Sequence, residues 1–149
     1  MDRDAERAIE WDCNKLLNQF YRLLDDKKYE ALANLFADDG VWMRLGEELN
    51  GPAAILDAMG EREDWLTAHL LSNVQIEVSD PDHATSSQYV TLYRIEGYDP
   101  SGGPAEVTLP MGILRHRDQL VRIDNHWKFQ RKESRAVLVN RKRVTHYDR

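Results

Sequence analysis

The stretch LLNQFYRLLDDKKYEALANLFADDGVW, Leu16 to Trp42, decides how this chain folds. It reads as the end of one helix, an acidic elbow, a second short helix, a turn and the start of a strand. Upstream, Ala5, Ile9 and Cys13 join Leu16, Leu17, Phe20 and Leu24 at helical spacing. Together they make an apolar stripe wide enough to lie on a sheet. The elbow Asp25-Asp26-Lys27-Lys28 interrupts it, and Tyr29, Leu32, Leu35 and Phe36 form a second, shorter stripe. Asp38-Asp39-Gly40 is expected to stop that second helix, with Gly40 in a left-handed C-terminal position. Val41-Trp42-Met43 then opens a strand.

Downstream, Gly46 and Asn50-Gly51-Pro52 mark turns, and Pro52 suits the first turn of a third helix over 53–63, with Ile55, Leu56 and Met59 apolar. Trp65-Leu66-Thr67 leads into a strand over 68–78. Asp80-Pro81-Asp82 is a turn, and 84–95, rich in Thr, Tyr and Val, is a further strand. The segment 97–104 is a loop too long for a two-residue hairpin turn. A long strand is expected over 107–123, bent at Pro110 and Gly112. Asp124-Asn125 turns the chain back into a last strand over 126–139, and Arg141, Lys142 and Arg143 form a solvated tail. Helices followed by a run of hairpin-connected strands predict an α+β layout, with helices on one face of a curved sheet. A strongly bent sheet closed by a long helix is a cone, and an interior lined by Trp, Tyr, Met and Leu is a small-molecule pocket.

Composition narrows the classes. The 149 residues make one domain, and 42% hydrophobic content is enough to bury a core. A net charge of −6 excludes a nucleic-acid surface, which must be basic. No segment approaches the roughly 18 apolar residues of a membrane span, and the charged N-terminus has no signal-peptide core. The single cysteine, Cys13, forms no internal disulfide and sits on the apolar stripe, which fits a reducing, cytoplasmic setting. The five histidines (His69, His83, His116, His126 and His146) form no metal-binding pair, and no phosphate loop or nucleophile elbow is present. No metal or other cofactor is expected.

The order of motifs resembles the SnoaL-like branch of the nuclear-transport-factor-2-like superfamily over nearly the whole chain, 1–149. The matching positions are Asp25, Tyr29, Leu32, Leu35-Phe36 and Asp39, then Gly51, His69 and Asn73. Asp118, Arg122, Asp124 and Trp127-Lys128-Phe129 complete the pattern. The resemblance implies a cone: a strongly curved antiparallel or mixed sheet around a long N-terminal helix, with two shorter helices. Within the superfamily the chain is most similar to scytalone dehydratase and hexachlorocyclohexane dehydrochlorinase, which use an Asp–His dyad without a metal. By this resemblance Asp25 and His69 are the catalytic pair. Other dehydratase pocket positions are not matched. Its two water-activating tyrosines fall near Leu24 and Arg44, its second histidine near Arg94, and its pocket asparagine near His116.

Read without the resemblance, the same residues leave two readings open. His69 alternates with Leu71 and Asn73 on one strand face, and a histidine at a strand entrance is often structural. Asp25 lies on the flank of the helical stripe, where a solvated acid is common. Substrate-lining candidates are Tyr21, Trp42, Met59, Trp65, Tyr93, Arg94, Met111, Leu114 and His116; each aromatic or aliphatic one serves equally as core. Arg94 is a candidate for anion or oxyanion stabilisation. The resemblance to the SnoaL-like branch, and not these residues alone, implies a lyase or isomerase acting on a small apolar, cyclic or aromatic molecule by cofactor-free proton abstraction. The rival readings are a non-catalytic binding module of this fold and an accessory small subunit like that of ring-hydroxylating dioxygenases. Apolar residues on both faces of the last two strands imply a homo-oligomer, a dimer or trimer.

Overall fold

A computed structural model describes residues 1–142; Arg143 and His146 lie outside the described residues. Three helices, α1 (Arg3–Asp25), α2 (Tyr29–Ala33) and α3 (Gly51–Gly60), pack with six strands. These are β1 (Phe36–Arg44), β2 (Glu47–Asn50), β3 (Leu66–Asp80), β4 (His83–Ile95), β5 (Gly112–Ile123) and β6 (His126–Val139). They form one mixed sheet in the order β2-β1-β6-β5-β4-β3. Among the described residues only the β1–β6 pair is parallel; the other neighbours are antiparallel. The sheet is curved and unclosed, and α1 packs against β3 and β6. Among the described residues, no helix is long and apolar enough to cross a membrane.

Helix α1 is well specified at both ends. The Asp2 side chain accepts from the amides of Asp4 and Ala5, and Asp4 and Glu6 complement the positive helix start. Its buried stripe is Ile9, Cys13, Leu16, Leu17, Phe20, Tyr21 and Leu24. Ala5, one of the expected stripe residues, is exposed. At the far end Lys27 adopts a left-handed φ of 58°. The Lys28 amide then donates to Leu23 O at 2.9 Å and the Lys27 amide to Leu24 O at 3.3 Å. This double bond pattern ends a helix sharply. It makes Asp25 the last helical residue, and a Lys27–Asp64 ion pair holds the elbow against the turn after α3.

The core is built around Phe20. Its ring meets Phe36, Trp42, Phe129 and Tyr21 edge-on, with centroids between 5.0 and 6.1 Å. Burying one such ring stabilises the fold by about 1.5–3 kcal/mol. Cys13 is fully buried, and burial, aided by the Asp12 charge, pushes its thiol up to about 12, so it acts as core rather than nucleophile.

Several expectations are corrected. The second helix stops at Ala33, and Phe36 already belongs to β1, because five residues suffice to turn the chain onto the sheet. Gly40 is not a helix cap. It lies within β1 where the pairing with β6 shifts register, and a Cβ there would stand 2.7 Å from Phe129 O and 2.9 Å from Ala37 O. Helix α3 spans 51–60 rather than 53–63, and β5 begins at Gly112 rather than at Val107. In β3, Asn73 takes a left-handed φ of 52° in a bulge between Ser72 and Gln75. The extra residue reverses the alternation. His69 and Leu71 therefore share the helix-facing side with Val74, Ile76 and Val78, and not with Asn73. Of the apolar residues on the two faces of the last two strands, Leu120 and Phe129 are core.

The Gly40 contacts are with backbone, which cannot move aside cheaply. Gly40→Ala is expected to lower the unfolding free energy by about 1–3 kcal/mol. Urea denaturation checks this, and an unchanged midpoint would show that the β1–β6 junction relaxes freely.

Candidate active site

The sharp end of α1 aims Asp25 at the start of β3. Its Oδ1 accepts from Thr67 Oγ1 at 2.8 Å and lies 2.6 Å from His69 Nδ1, while Oδ2 accepts from the His69 amide at 2.9 Å. The His69 side chain is 10% exposed and that of Asp25 22%. Burial would raise the Asp25 carboxyl, but the His69 side-chain bond, the imidazolium charge, the His69 amide and the Thr67 hydroxyl together hold it below its ordinary value. An ionised carboxylate accepts, so Nδ1 donates, and in the neutral form of His69 the lone pair lies on Nε2.

Tyr21 lies one turn earlier on the same helix. Its ring stacks on His69 at 5.5 Å and meets His116 edge-on at 5.8 Å. His116 projects from β5 beside Gln88 of β4. It is buried, and among the described residues neither ring nitrogen has a hydrogen-bond partner. Burial, then the charges of Lys132 and His69, push its pKa well below the ordinary histidine value. His116 is therefore a neutral imidazole with one donor and one acceptor to offer. Tyr21 stays a phenol, because burial and the Asp118 charge outweigh a favourable contact with Gln88 and raise its pKa.

Beneath these rings lies a buried ion pair. Lys132 Nζ stands 3.1 Å from Asp118 Oδ2, and both side chains are fully buried. Asp118 also accepts from Gln88 at 2.6 Å and Ser86 at 3.3 Å. The ammonium lies 4.5 Å from the Phe20 ring centre, 5.0 Å from that of Tyr21 and 4.8 Å from that of Phe129. Burial lowers the Lys132 pKa and Asp118 opposes that fall. Removing either charge alone would strand the other, whereas an apolar pair could replace both.

The structure thus brings Asp25, His69, Tyr21 and His116 together. Leu114, two residues before His116 on β5, lines a small apolar depression with Leu92, Met111, Gly112, Leu138 and Val139. Arg94 pairs in register with Thr67 at the rim, stacks on Trp65 at 3.9 Å and bonds Glu96 at 3.0 Å. Trp42 and Met59 are part of the continuous core, with Trp42 packed against Phe20 and Phe36. Tyr93 is a correction. It pairs with Ala68, while His69 pairs with Leu92, so the strand alternation puts Tyr93 on the sheet face opposite the dyad.

Sequence reasoning missed Thr67, Arg62, Gln88 and Lys132. One signal was available: the hairpin at Asp124-Asn125 sets a basic residue of β6 opposite Asp118. Unbulged pairing would choose Arg131, and the register shift past Leu120 chooses Lys132 instead.

Comparison with known proteins places the fold. The SnoaL-like domain matches residues 5–133. The chain belongs to the SnoaL-like family. A search of curated proteins finds no match. Among solved structures, a putative scytalone dehydratase from Novosphingobium aromaticivorans is similar, with a TM-score of 0.76 and 22% identity over 99% of this chain and 96% of that one. A hexachlorocyclohexane dehydrochlorinase from Novosphingobium barchaimii LL02 is similar at a TM-score of 0.73 and 18% identity, covering 93% of each chain. An NTF2-like protein with a cystatin-like fold, also from Novosphingobium aromaticivorans, has a TM-score of 0.72 and 21% identity, over 88% of this chain and 84% of that one. At these identities the likeness is one of fold.

A buried neutral histidine has a stability signature. The unfolded chain binds a proton at His116 below about pH 6.5, and the folded chain resists it. The stability contributed by His116 is full above that pH and is lost as pH falls toward the depressed folded value. Comparing urea midpoints of the wild type and His116→Gln between pH 7 and 5 should therefore show a flatter slope for the variant. Parallel slopes would mean that His116 charges freely in the fold.

Proposed function

We propose that this SnoaL-like protein is a lyase or isomerase that removes a proton from carbon in a small, uncharged ring compound without a cofactor. The observation carrying this reading is the 2.6 Å contact between Asp25 Oδ1 and His69 Nδ1 in a largely buried setting. Nε2 of His69 takes a proton from a carbon next to an electron-withdrawing group. The C–H electron pair forms a double bond as a leaving group departs, or the imidazolium returns the proton to another carbon. Asp25 holds the tautomer and stabilises the imidazolium; with little water around it, that attraction is weakly screened. The similar dehydratase and dehydrochlorinase folds support elimination chemistry. An uncharged ring fits better than an anion, because His116 is neutral and Arg94 is engaged with Trp65 and Glu96.

A panel of ring compounds bearing an acidic C–H and a leaving group on the next carbon tests the reading. On any substrate turned over, His69→Ala should cost on the order of 10²–10⁴-fold in kcat. Asp25→Asn keeps the shape and removes the charge. The double variant should lose little more than His69→Ala alone, because the two act as one unit. A strong chelator should leave the rate unchanged. Wild-type turnover in both folded single variants would make the pair structural and the protein a binding module.

We also propose that the protein self-associates through the uncovered face of the sheet. Leu70, Thr91, Ile113 and Leu138 stand in register across β3, β4, β5 and β6, and Leu70 and Leu138 are exposed. Such a row invites a self-complementary partner. Light scattering at micromolar concentration should give a dimer or trimer, and a monomer would refute it.

A further inference from the structure

Arg62 lies just after α3, where its amide donates to Met59 O at 3.2 Å. Its guanidinium reaches three acceptors. Nη1 donates to Leu24 O at 3.3 Å and to the Tyr29 hydroxyl at 3.1 Å, and Nη2 donates to Thr67 Oγ1 at 3.1 Å. Thr67 is buried and stands 2.8 Å from Asp25 Oδ1. The donors and acceptors along this chain have only one consistent arrangement. A guanidinium donates and cannot accept, so the Thr67 oxygen accepts from Arg62. Its single proton then goes to Asp25. The other carboxylate oxygen already takes the His69 amide. A carboxylate fed by these donors is held ionised, so the proton on the Asp25–His69 line belongs to Nδ1.

We infer that Arg62 is a positioning residue, which through the Thr67 hydroxyl fixes the direction of hydrogen bonding at Asp25 and so the tautomer in which His69 waits. This rests on the proposed role of His69 Nε2 as base, but it can be read without a substrate. The same side chain ties the end of α1 to the second helix through Leu24 and Tyr29. The residue that sets the tautomer therefore also sets the distance from helix to strand. Met in place of Arg62 leaves the Thr67 hydroxyl free to turn away from Asp25. Val in place of Thr67 cuts the link while leaving the bonds of Arg62 to Leu24 and Tyr29.

The test is nitrogen NMR of the protein labelled with ¹⁵N-histidine, recorded above the ionisation of His69. In the wild type His69 should be protonated at Nδ1. In Arg62→Met and in Thr67→Val the ratio of Nδ1–H to Nε2–H forms should fall by about tenfold, the equivalent of one hydrogen bond. On a turned-over substrate, both variants should lower kcat and leave KM within about twofold, as expected for a group that orients the base. An unchanged ratio in either variant overturns the inference. A shift in Arg62→Met alone would trace the effect to the helix end and not to the relay. If Arg62→Met does not fold, Arg62→Gln replaces it, since an amide can accept as well as donate. A shifted ratio in a protein that turns nothing over supports the relay and removes only the catalytic reading.

Discussion

The Asp25 carboxylate is the bond on which this architecture turns. It sits at the last residue of a long helix and accepts from a side chain and an amide of β3 as well as from the His69 ring. Those bonds bring the first element of the chain to a strand that follows two helices and a hairpin. The left-handed Lys27 makes this possible, since one more helical residue would carry the next carboxylate round the axis by about 100°. A non-glycine residue in that conformation costs about 1 kcal/mol or more. The bonds of Asp25 and the Lys27–Asp64 pair offset that cost.

A second layer of polar chemistry lies deeper. The Lys132 ammonium is enclosed by three aromatic rings and one carboxylate. With Asp118 it is close to neutral overall, yet each member still acts on its neighbours. The cation helps keep His116 uncharged and the anion helps keep Tyr21 a phenol. The helix-facing side thus presents groups that hydrogen-bond without charge beside one carboxylate–imidazole pair, Asp25 and His69.

Much of this was legible in the sequence, and what was not has physical reasons. The stripe of α1, the Pro52 start of α3 and the hairpin at Asp124-Asn125 follow from local spacing and turn chemistry. Periodicity left Asp25 on a flank, because it sees a helix face and not what a left-handed turn aims it at. The order of family motifs singled out Asp25 and His69. The face of Asn73 was misread because a bulge inserts one residue and flips every later side chain. Tyr93 was misread because an aromatic strand residue looks the same on either face. Lys132 was not singled out, since burial of a charge depends on a partner from another strand. Gly40 looked like a helix stop because its constraint is the backbone of β6, far away in sequence.

The parallel pairing of β1 with β6 also bears on how the protein assembles during synthesis. Phe36 pairs with Phe129, and β6 lies between β1 and β5 in the sheet. The N-terminal hairpin of β1 and β2 therefore leaves the ribosome long before its neighbour exists. Until β6 arrives, β1 has an open edge and the Phe20 cluster lacks Phe129. Local helices and the β3–β4 hairpin can form early, but β1 joins the rest of the sheet only in a late, long-range step. A topology of this kind folds slowly for its size and leaves an adhesive strand edge exposed to chaperones or to other nascent chains.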